Sequence, residues 1–365
     1  MHIAESSSTP NASCRFISIV VPCRNEREHI REFLASLAHQ EFPGADWEVI
    51  IAEGRSTDGT LDLLQEFCRD NPRFRVVDNP GQIVSTGLNP AIRSARGDVI
   101  IRMDAHTEYA PDYIRQCVAV LEETGAQNVG GAPRAKGDTL RSCVLAAAFH
   151  SPFAVGGSRS HDPDYEGYVD SVHYGCWKKE TLLRLNLFDE TLVRNQDDEL
   201  NFRLTRAGGT VWQSKRILCW YNPRPTVAGL FRQHFQYGYW KVAVIRKHGK
   251  SASWRHLIPG AFVVANIVLP LGAAAAAVAG NSAMLALFAN TWLAMLAVYF
   301  AASFTAAFFT ARRRGWAVLP FLPLVFCVYH VAYGLGFVRG MSHFRRPAQP
   351  WTPPSGNPVC DGPSQ

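Results

Sequence analysis

Apolar residues follow two regimes along this chain. Up to about residue 250 they come in short bursts separated by polar loops, and beyond it they run almost without interruption. In the first regime, Phe16 to Val21 is a β-rich apolar run that Pro22, lacking a ladder donor, is expected to close. Ile30, Phe33, Leu34 and Leu37 then recur at helical spacing. A second strand is predicted over Trp47 to Ala52, and a helix from Leu61 to Cys68 capped by Asp58 or Thr57. A third strand follows at Phe74 to Val77, a third helix at Ile83 to Ser94 and a fourth strand at Val99 to Met103. Strands alternating with helices at this spacing predict a parallel sheet with helices on both faces.

The fourth strand organises the reading. Gly97-Asp98 is turn chemistry, Val99, Ile100 and Ile101 are β-branched, and Asp104 and His106 follow where the strand runs out. Because strand side chains alternate, Asp104 and His106 point to one side, where a carboxylate and an imidazole can share a divalent cation. Polar groups recur at the other strand ends: Arg24 and Glu26 after the first, Glu53 after the second. The carboxyl ends of strands in open α/β sheets are where ligands bind. No G-x-G-x-x-G follows the first strand and no P-loop occurs, so dinucleotide and Walker-type sites are unsupported.

In the second regime, Leu257 to Gly280, Ala283 to Ala311 and Ala317 to Val338 are nearly uncharged, and each reaches the ~20 residues that a bilayer span needs. Arg246, Lys247, Lys250 and Arg255 precede the first, and Arg312, Arg313 and Arg314 separate the second from the third. By the positive-inside rule those ends face the cytoplasm, together with the first domain. The third segment conflicts with a simple three-span topology. Pro320 and Pro323 interrupt its start, and Arg339, Arg345 and Arg346 would lie outside. A kinked or re-entrant segment removes the conflict, as does packing at the interface. His330 within it faces either protein or an acceptor lipid.

At 365 residues and a net charge of +6, the chain suggests one large unit and one smaller one, with its basic clusters flanking apolar stretches. That pattern fits a membrane surface, and no nucleic-acid-binding signature is present. The nine cysteines form no C-x-x-C pair, and Cys23, Cys68, Cys117, Cys143 and Cys219, beside apolar residues, read as buried thiols in a reducing compartment. Residues 1–15 are polar, Ser-rich and without an apolar run, and read as a disordered lead-in. Residues 347–365 read as a disordered tail. The expected organisation is a domain over 16–250 and a membrane domain of two to three helices over 257–340.

Four ordered motifs carry a resemblance. They are Val20-Val21-Pro22-Cys23-Arg24-Asn25-Glu26, Ser56-Thr57-Asp58-Gly59-Thr60, Gly97-Asp98-Val99-Ile100 with Asp104-Ala105-His106, and Gln196-Asp197-Asp198-Glu199-Leu200 with Arg203. Together they resemble the family 2 glycosyltransferases of the GT-A fold, and within them the ExoA-type enzymes of succinoglycan synthesis, over residues 16 to 250. The resemblance implies an α/β fold, a GT-A nucleotide-sugar-binding domain with a mostly parallel central sheet, and the apolar stretches add C-terminal transmembrane helices after it. It also implies Pro22, Arg24, Glu26, Glu53 and Asp104 as nucleotide-sugar-binding residues, and Asp104 with His106 as ligands for Mn²⁺ or Mg²⁺. It places Asp197 as the base that deprotonates the acceptor in an inverting transfer. The chain departs from the family at His106, where Asp is usual, at Glu53-Gly54-Arg55-Ser56 in place of Asp-Asp-Gly-Ser, and at Gln196 in place of Glu.

From the residues themselves, Asn195 is a candidate N-cap with the three acids in the first helical turn. Three adjacent carboxylates are expected to raise one another's proton affinity. The resemblance implies that Trp177 lines the acceptor pocket; a ring packed in the core beneath the cleft is the alternative. Gln233, Tyr237 and Trp240 lie at helical spacings, so that with Asp198 they are acceptor or diphosphate candidates, an interfacial aromatic belt being the alternative reading. The implied partners are a nucleotide-diphosphate sugar such as UDP-glucose, a lipid-linked saccharide acceptor in exopolysaccharide assembly, and membrane lipid, with no nucleic acid. The rivals are transfer directly to a polyprenyl phosphate and a non-catalytic sugar-nucleotide-binding membrane scaffold.

Overall fold

The computed structural model describes residues 16–344 except 43, 45, 222–225 and 250–252; the expected lead-in (1–15) and tail (347–365) lie outside the described residues. The order of elements begins β1 (Phe16–Cys23), α1 (Ile30–Ala38), β2 (Asp46–Glu53), α2 (Thr60–Asp70), β3 (Phe74–Asp78), α3 (Val84–Ser94) and β4 (Val99–Arg102). It continues with β5 (Thr107–Tyr109), α4 (Tyr113–Thr124), β6 (Asn128–Gly130), β7 (Arg134–Ala135), α5 (Leu140–Phe149), β8 (Gly167–Tyr168), β9 (Cys176–Lys178) and α6 (Lys179–Arg184). Then come α7 (Gln196–Arg206), β10 (Val211–Gln213), β11 (Cys219–Tyr221) and four long helices, α8 (Val227–His248), α9 (Ile258–Val278), α10 (Ser282–Arg314) and α11 (Leu322–His343).

An eight-stranded sheet runs in the order β3-β2-β1-β4-β9-β6-β10-β8, and a small second sheet runs β5-β11-β7. The β3-β2-β1-β4 half is parallel throughout, while β9 enters antiparallel between β4 and β6. Alternation along β1 sorts the core. Ile17, Ile19 and Val21 pack with α1, α2 and α4 on one face, whereas Val20 packs with α3 and α7 on the other. The β4 strand can lie against β1 because Gly97 has no side chain: a Cβ there would stand 2.6 Å from the Ser18 backbone nitrogen. The strand expected to stop at Pro22 runs one residue further, with Pro22 in register beside Ala52 and Cys23 beside Glu53. A proline at the end of a strand forfeits a single donor, and this the ladder tolerates.

Three helices, Trp254–Val278, Ser282–Arg314 and Leu322–His343, are long and apolar enough to cross a membrane. They are not alike. The first two form an antiparallel pair with mostly exposed apolar surface, whereas the third is half buried. It is buried against α5, the start of α9 and above all α8, with glycines at the helix contacts. A Cβ on Gly336 would lie 1.9 Å from the Phe235 carbonyl oxygen, and one on Gly238 would lie 2.0 Å from that of Tyr333. Such small-residue contacts let helix backbones approach closely.

Candidate functional site

The loops after β1 and β2 are joined by hydrogen bonds. The Asn25 amide donates to Ser56 Oγ, the Thr57 amide to Asn25 Oδ1, the Glu26 amide to Thr60 Oγ1 and the Arg27 amide to Asp58 Oδ2. Asp58 also accepts from the amide and hydroxyl of Thr60, fixing the start of α2 as expected, although Gly59 occupies the cap position. Glu53 is engaged within its own loop, where its carboxylate accepts the amides of Arg55 (2.9 Å) and Ser56 (2.7 Å). Both bonds shape the turn that follows β2. Pro22, Arg24, Glu26 and Glu53 thus gather at the carboxyl ends of β1 and β2, with Arg24 exposed.

Asp104 and His106 follow β4 beside them. Arg102, 6% exposed, grips Asp104 with Nε to Oδ1 and Nη2 to Oδ2, both at 2.9 Å. Burial opposes the Arg102 charge, but the Asp104 carboxylate more than offsets it and raises the guanidinium pKa. His106 Nδ1 lies 3.1 Å from Glu26 Oε1. When Nδ1–H donates to that carboxylate, the tautomer is the one with its lone pair on Nε2, the arrangement common behind metal-binding imidazoles. Among the described residues no three His, Cys, Asp or Glu side chains gather into a cluster able to hold a metal ion. Asp104 and His106 are the candidate oxygen and nitrogen donors in the loop after β4.

Asp104, His106 and Asp197 line one cavity of about 1030 Å³. It extends past Phe149, His161, His173 and Tyr221 to Phe262 of α9, Tyr299 of α10 and Tyr329 of α11. Among the described residues, five buried polar atoms on its wall have no hydrogen-bond partner: Arg102 Nη1, His161 Nδ1, His173 Nδ1, Gln196 Oε1 and Tyr333 Oη. Burial pushes the His173 imidazole below its ordinary value despite the nearby Asp197, so the ring is neutral at pH 7.

Asp197 and its neighbours open α7. Asn195 does precede the helix, but it adopts a left-handed conformation (φ 62°) and its side chain makes no cap bond. Instead its Nδ2 donates to the Tyr237 carbonyl of α8 at 3.0 Å. The expected mutual elevation of three carboxylates is also corrected. The acids point apart, and two of them have cationic partners. Burial would raise Asp198, but Lys241 of α8 pairs with it and holds its pKa low. Glu199, fully buried, is likewise opposed by burial but pulled down to about 2 by His248, Arg203 and Lys247.

The acceptor candidates divide. Gln233 and Tyr237 line the cavity, with Gln233 Nε2 donating to the Tyr237 hydroxyl at 2.9 Å. Trp240 is not on that wall; its ring lies against Tyr239 and Phe344. Trp177 is corrected to the core: it is 2% exposed and packs edge-on to Phe188. Its place on β9 between β4 and β6 leaves it beneath the cleft. Sequence reasoning missed Arg102 altogether. Its signal was an arginine inside an apolar strand run, two residues before a carboxylate. Lys241, His161 and the α9–α11 side of the cavity carried no local signal.

Comparison with known proteins agrees with this architecture. The glycosyl transferase family 2 model matches residues 18–185. The succinoglycan biosynthesis protein ExoA of Rhizobium meliloti is 30% identical over 341 residues, which is 90% of this chain and 96% of that one. A dolichyl N-acetyl-α-D-glucosaminyl phosphate 3-β-D-2,3-diacetamido-2,3-dideoxy-β-D-glucuronosyltransferase of Methanococcus voltae is 26% identical over 70% of this chain and 81% of its own length. Among solved structures, the mannosyltransferase PcManGT of Pyrobaculum calidifontis, in complex with GDP-Man and Mn²⁺, superposes with a TM-score of 0.55 at 21% identity, covering 88% of each chain. Its likeness establishes the shared fold. With the ordered motifs, the sheet and a relative matched almost end to end, this chain is a glycosyltransferase and belongs to glycosyl transferase family 2.

Proposed function

We propose that the protein is a membrane-anchored, inverting, metal-dependent transferase that adds one sugar to a lipid-linked saccharide in exopolysaccharide or cell-surface glycan synthesis. The donor is a nucleotide-diphosphate sugar, UDP-glucose or similar, and the catalytic domain faces the cytoplasm at the inner membrane. One observation carries the reading: a single cavity joins Asp104 and Asp197 to side chains of the three long apolar helices. A site so built suits an acceptor whose reacting hydroxyl is polar and whose anchor is lipid. The Methanococcus voltae relative, a transferase acting on a dolichyl-phosphate-linked sugar, supports this acceptor class, and the ExoA relative supports a place in polysaccharide synthesis.

In this reading Asp197 accepts the proton of the acceptor hydroxyl as its oxygen attacks the anomeric carbon. The nucleoside diphosphate leaves from the opposite face of the sugar. Asp104 and His106, with Glu26 orienting the imidazole, would hold a divalent ion, whose chemistry is to neutralise charge on the leaving diphosphate. An imidazole ligand suits Mn²⁺ better than Mg²⁺. Arg102 keeps Asp104 in place, and Lys241 seats the first turn of α7 through Asp198.

The test is release of nucleotide by detergent-solubilised protein from a panel of UDP- and GDP-sugars, with and without Mn²⁺ and a membrane lipid extract. Metal-stimulated release from one donor, increased by the extract, is expected. Binding of a nucleotide without turnover, extract included, would contradict the enzyme reading and favour a sugar-nucleotide-binding scaffold. Attachment of the sugar to a bare polyprenyl phosphate would replace the saccharide acceptor.

A further inference from the structure

Of the three apolar helices, α11 is the one whose length and composition suggest a span while its contacts argue otherwise. Its start packs on the catalytic domain: Leu322, Val325 and Phe326 join one apolar cluster with Val144, Leu145 and Ala148 of α5. One turn later His330 Nε2 donates to the Phe153 carbonyl at 2.9 Å, so its Nδ1 accepts from the Tyr299 hydroxyl. From there α11 follows α8. Tyr329 stacks on His234, Gly336 meets Phe235, and Gly340 meets Tyr239 and Val242. Numbers rise together on both helices, so the two run parallel in contact along their length.

The α8 helix is held to the catalytic domain by Lys241 to Asp198 and by Lys247 to Glu199, and its Arg232 is exposed. A helix tied along its length to such a partner could cross the hydrocarbon only by taking these charges with it, which is strongly unfavourable. The other face of α11 fits a membrane surface. Leu324, Val328, Val331, Leu335 and Val338 recur at helical spacing on its exposed and half-exposed side. By contrast, α9 and α10 leave the domain. Exposed Val268, Leu271 and Val278 line the one, and Leu287, Leu293 and Val298 the other, up to the turn at Gly280-Asn281. The end of α10 then returns to α5, where Ala307 and Ala311 are buried.

We propose that α11 lies in the plane of the membrane, its apolar stripe at the boundary between headgroups and acyl chains, and that only α9 and α10 cross. The chain end then returns to the face that carries the catalytic domain. Arg339, exposed on α11, stays on the basic side. Tyr329, His330 and Tyr333, which wall the cavity, sit at the depth of a lipid headgroup. That depth brings a phosphate-linked acceptor to Asp197 without moving it into the bilayer centre.

The test places one epitope in the full chain at a time: at the N-terminus, between Gly280 and Asn281, or after Gln365. Antibody access is read in intact and permeabilised spheroplasts of a bacterial expression host. The expected result is access in intact spheroplasts only at Gly280-Asn281, with the two chain ends requiring permeabilisation. Access at both Gly280-Asn281 and the C-terminus would leave the membrane reading standing and overturn the in-plane helix. No access at Gly280-Asn281 before permeabilisation would overturn the hairpin itself. Protease digestion of the untagged chain in right-side-out and inside-out vesicles, read by mass of the released tail, gives the same answer without an insertion. Release from inside-out vesicles alone is expected, and release from right-side-out vesicles alone refutes the proposal.

Discussion

Glu199→Gln isolates the buried charge cluster that seats α7. The carboxylate is fully buried and accepts from Arg203 Nε at 2.9 Å and Nη2 at 2.8 Å, from Lys247 at 2.8 Å and from His248 Nε2 at 3.0 Å. A pKa lowered from 4.5 to about 2 in the folded protein corresponds to about 3 kcal/mol of stability at neutral pH. Losing it should lower the melting temperature by about 6–12 °C. The pH dependence has a definite sign. Because the folded pKa is depressed, the contribution is complete above the unfolded value near 4.5 and is lost as pH falls toward about 2. The gap between wild type and Glu199→Gln should therefore be constant above about pH 5 and close below it. Intrinsic tryptophan fluorescence of the detergent-solubilised proteins, melted from pH 7.5 downward, measures both quantities. A gap below about 2 °C at neutral pH, or one unchanged at pH 3, would refute the account of the cluster.

Three other expectations follow from the geometry. Gly336→Ala places a Cβ 1.9 Å from the Phe235 carbonyl oxygen, so the helices must separate and the same melt should fall, by about 1–3 kcal/mol. Trp177→Phe should leave the KM values for donor and acceptor within about twofold, because the indole lies beneath the cleft and its Nε1 is buried without a partner. Gln196→Met, removing an uncommitted amide oxygen on the cavity wall, should raise the KM for one of the two substrates about tenfold; an unchanged pair would show that the oxygen meets neither.

The fold was most legible where periodicity is local. Alternation at Ile17, Ile19 and Val21 and helical spacing at Ile30, Phe33, Leu34 and Leu37 each predict the face that is buried. Asp104, His106 and Asp197, taken from separate motifs, line one cavity. Roles that depend on partners distant in sequence were not legible. The acids of α7 look like a repulsive triplet until Lys241, Lys247 and His248 arrive from another helix. Trp177 and Trp240 both satisfied an aromatic pattern, and only packing distinguishes a core ring from a cavity wall. Hydropathy likewise treats three apolar helices alike, whereas the Gly238 and Gly336 contacts set α11 apart.

The central claim is that Asp197 takes the acceptor's proton. Its most direct test compares Asp197→Asn with wild type in nucleotide affinity, by calorimetric titration with UDP or GDP in Mn²⁺, and in single-turnover sugar transfer to membrane lipid extract. Transfer should fall by at least about a hundredfold while nucleotide affinity changes less than about threefold. Transfer retained within about tenfold, or nucleotide binding lost in step with it, would contradict the role given to Asp197.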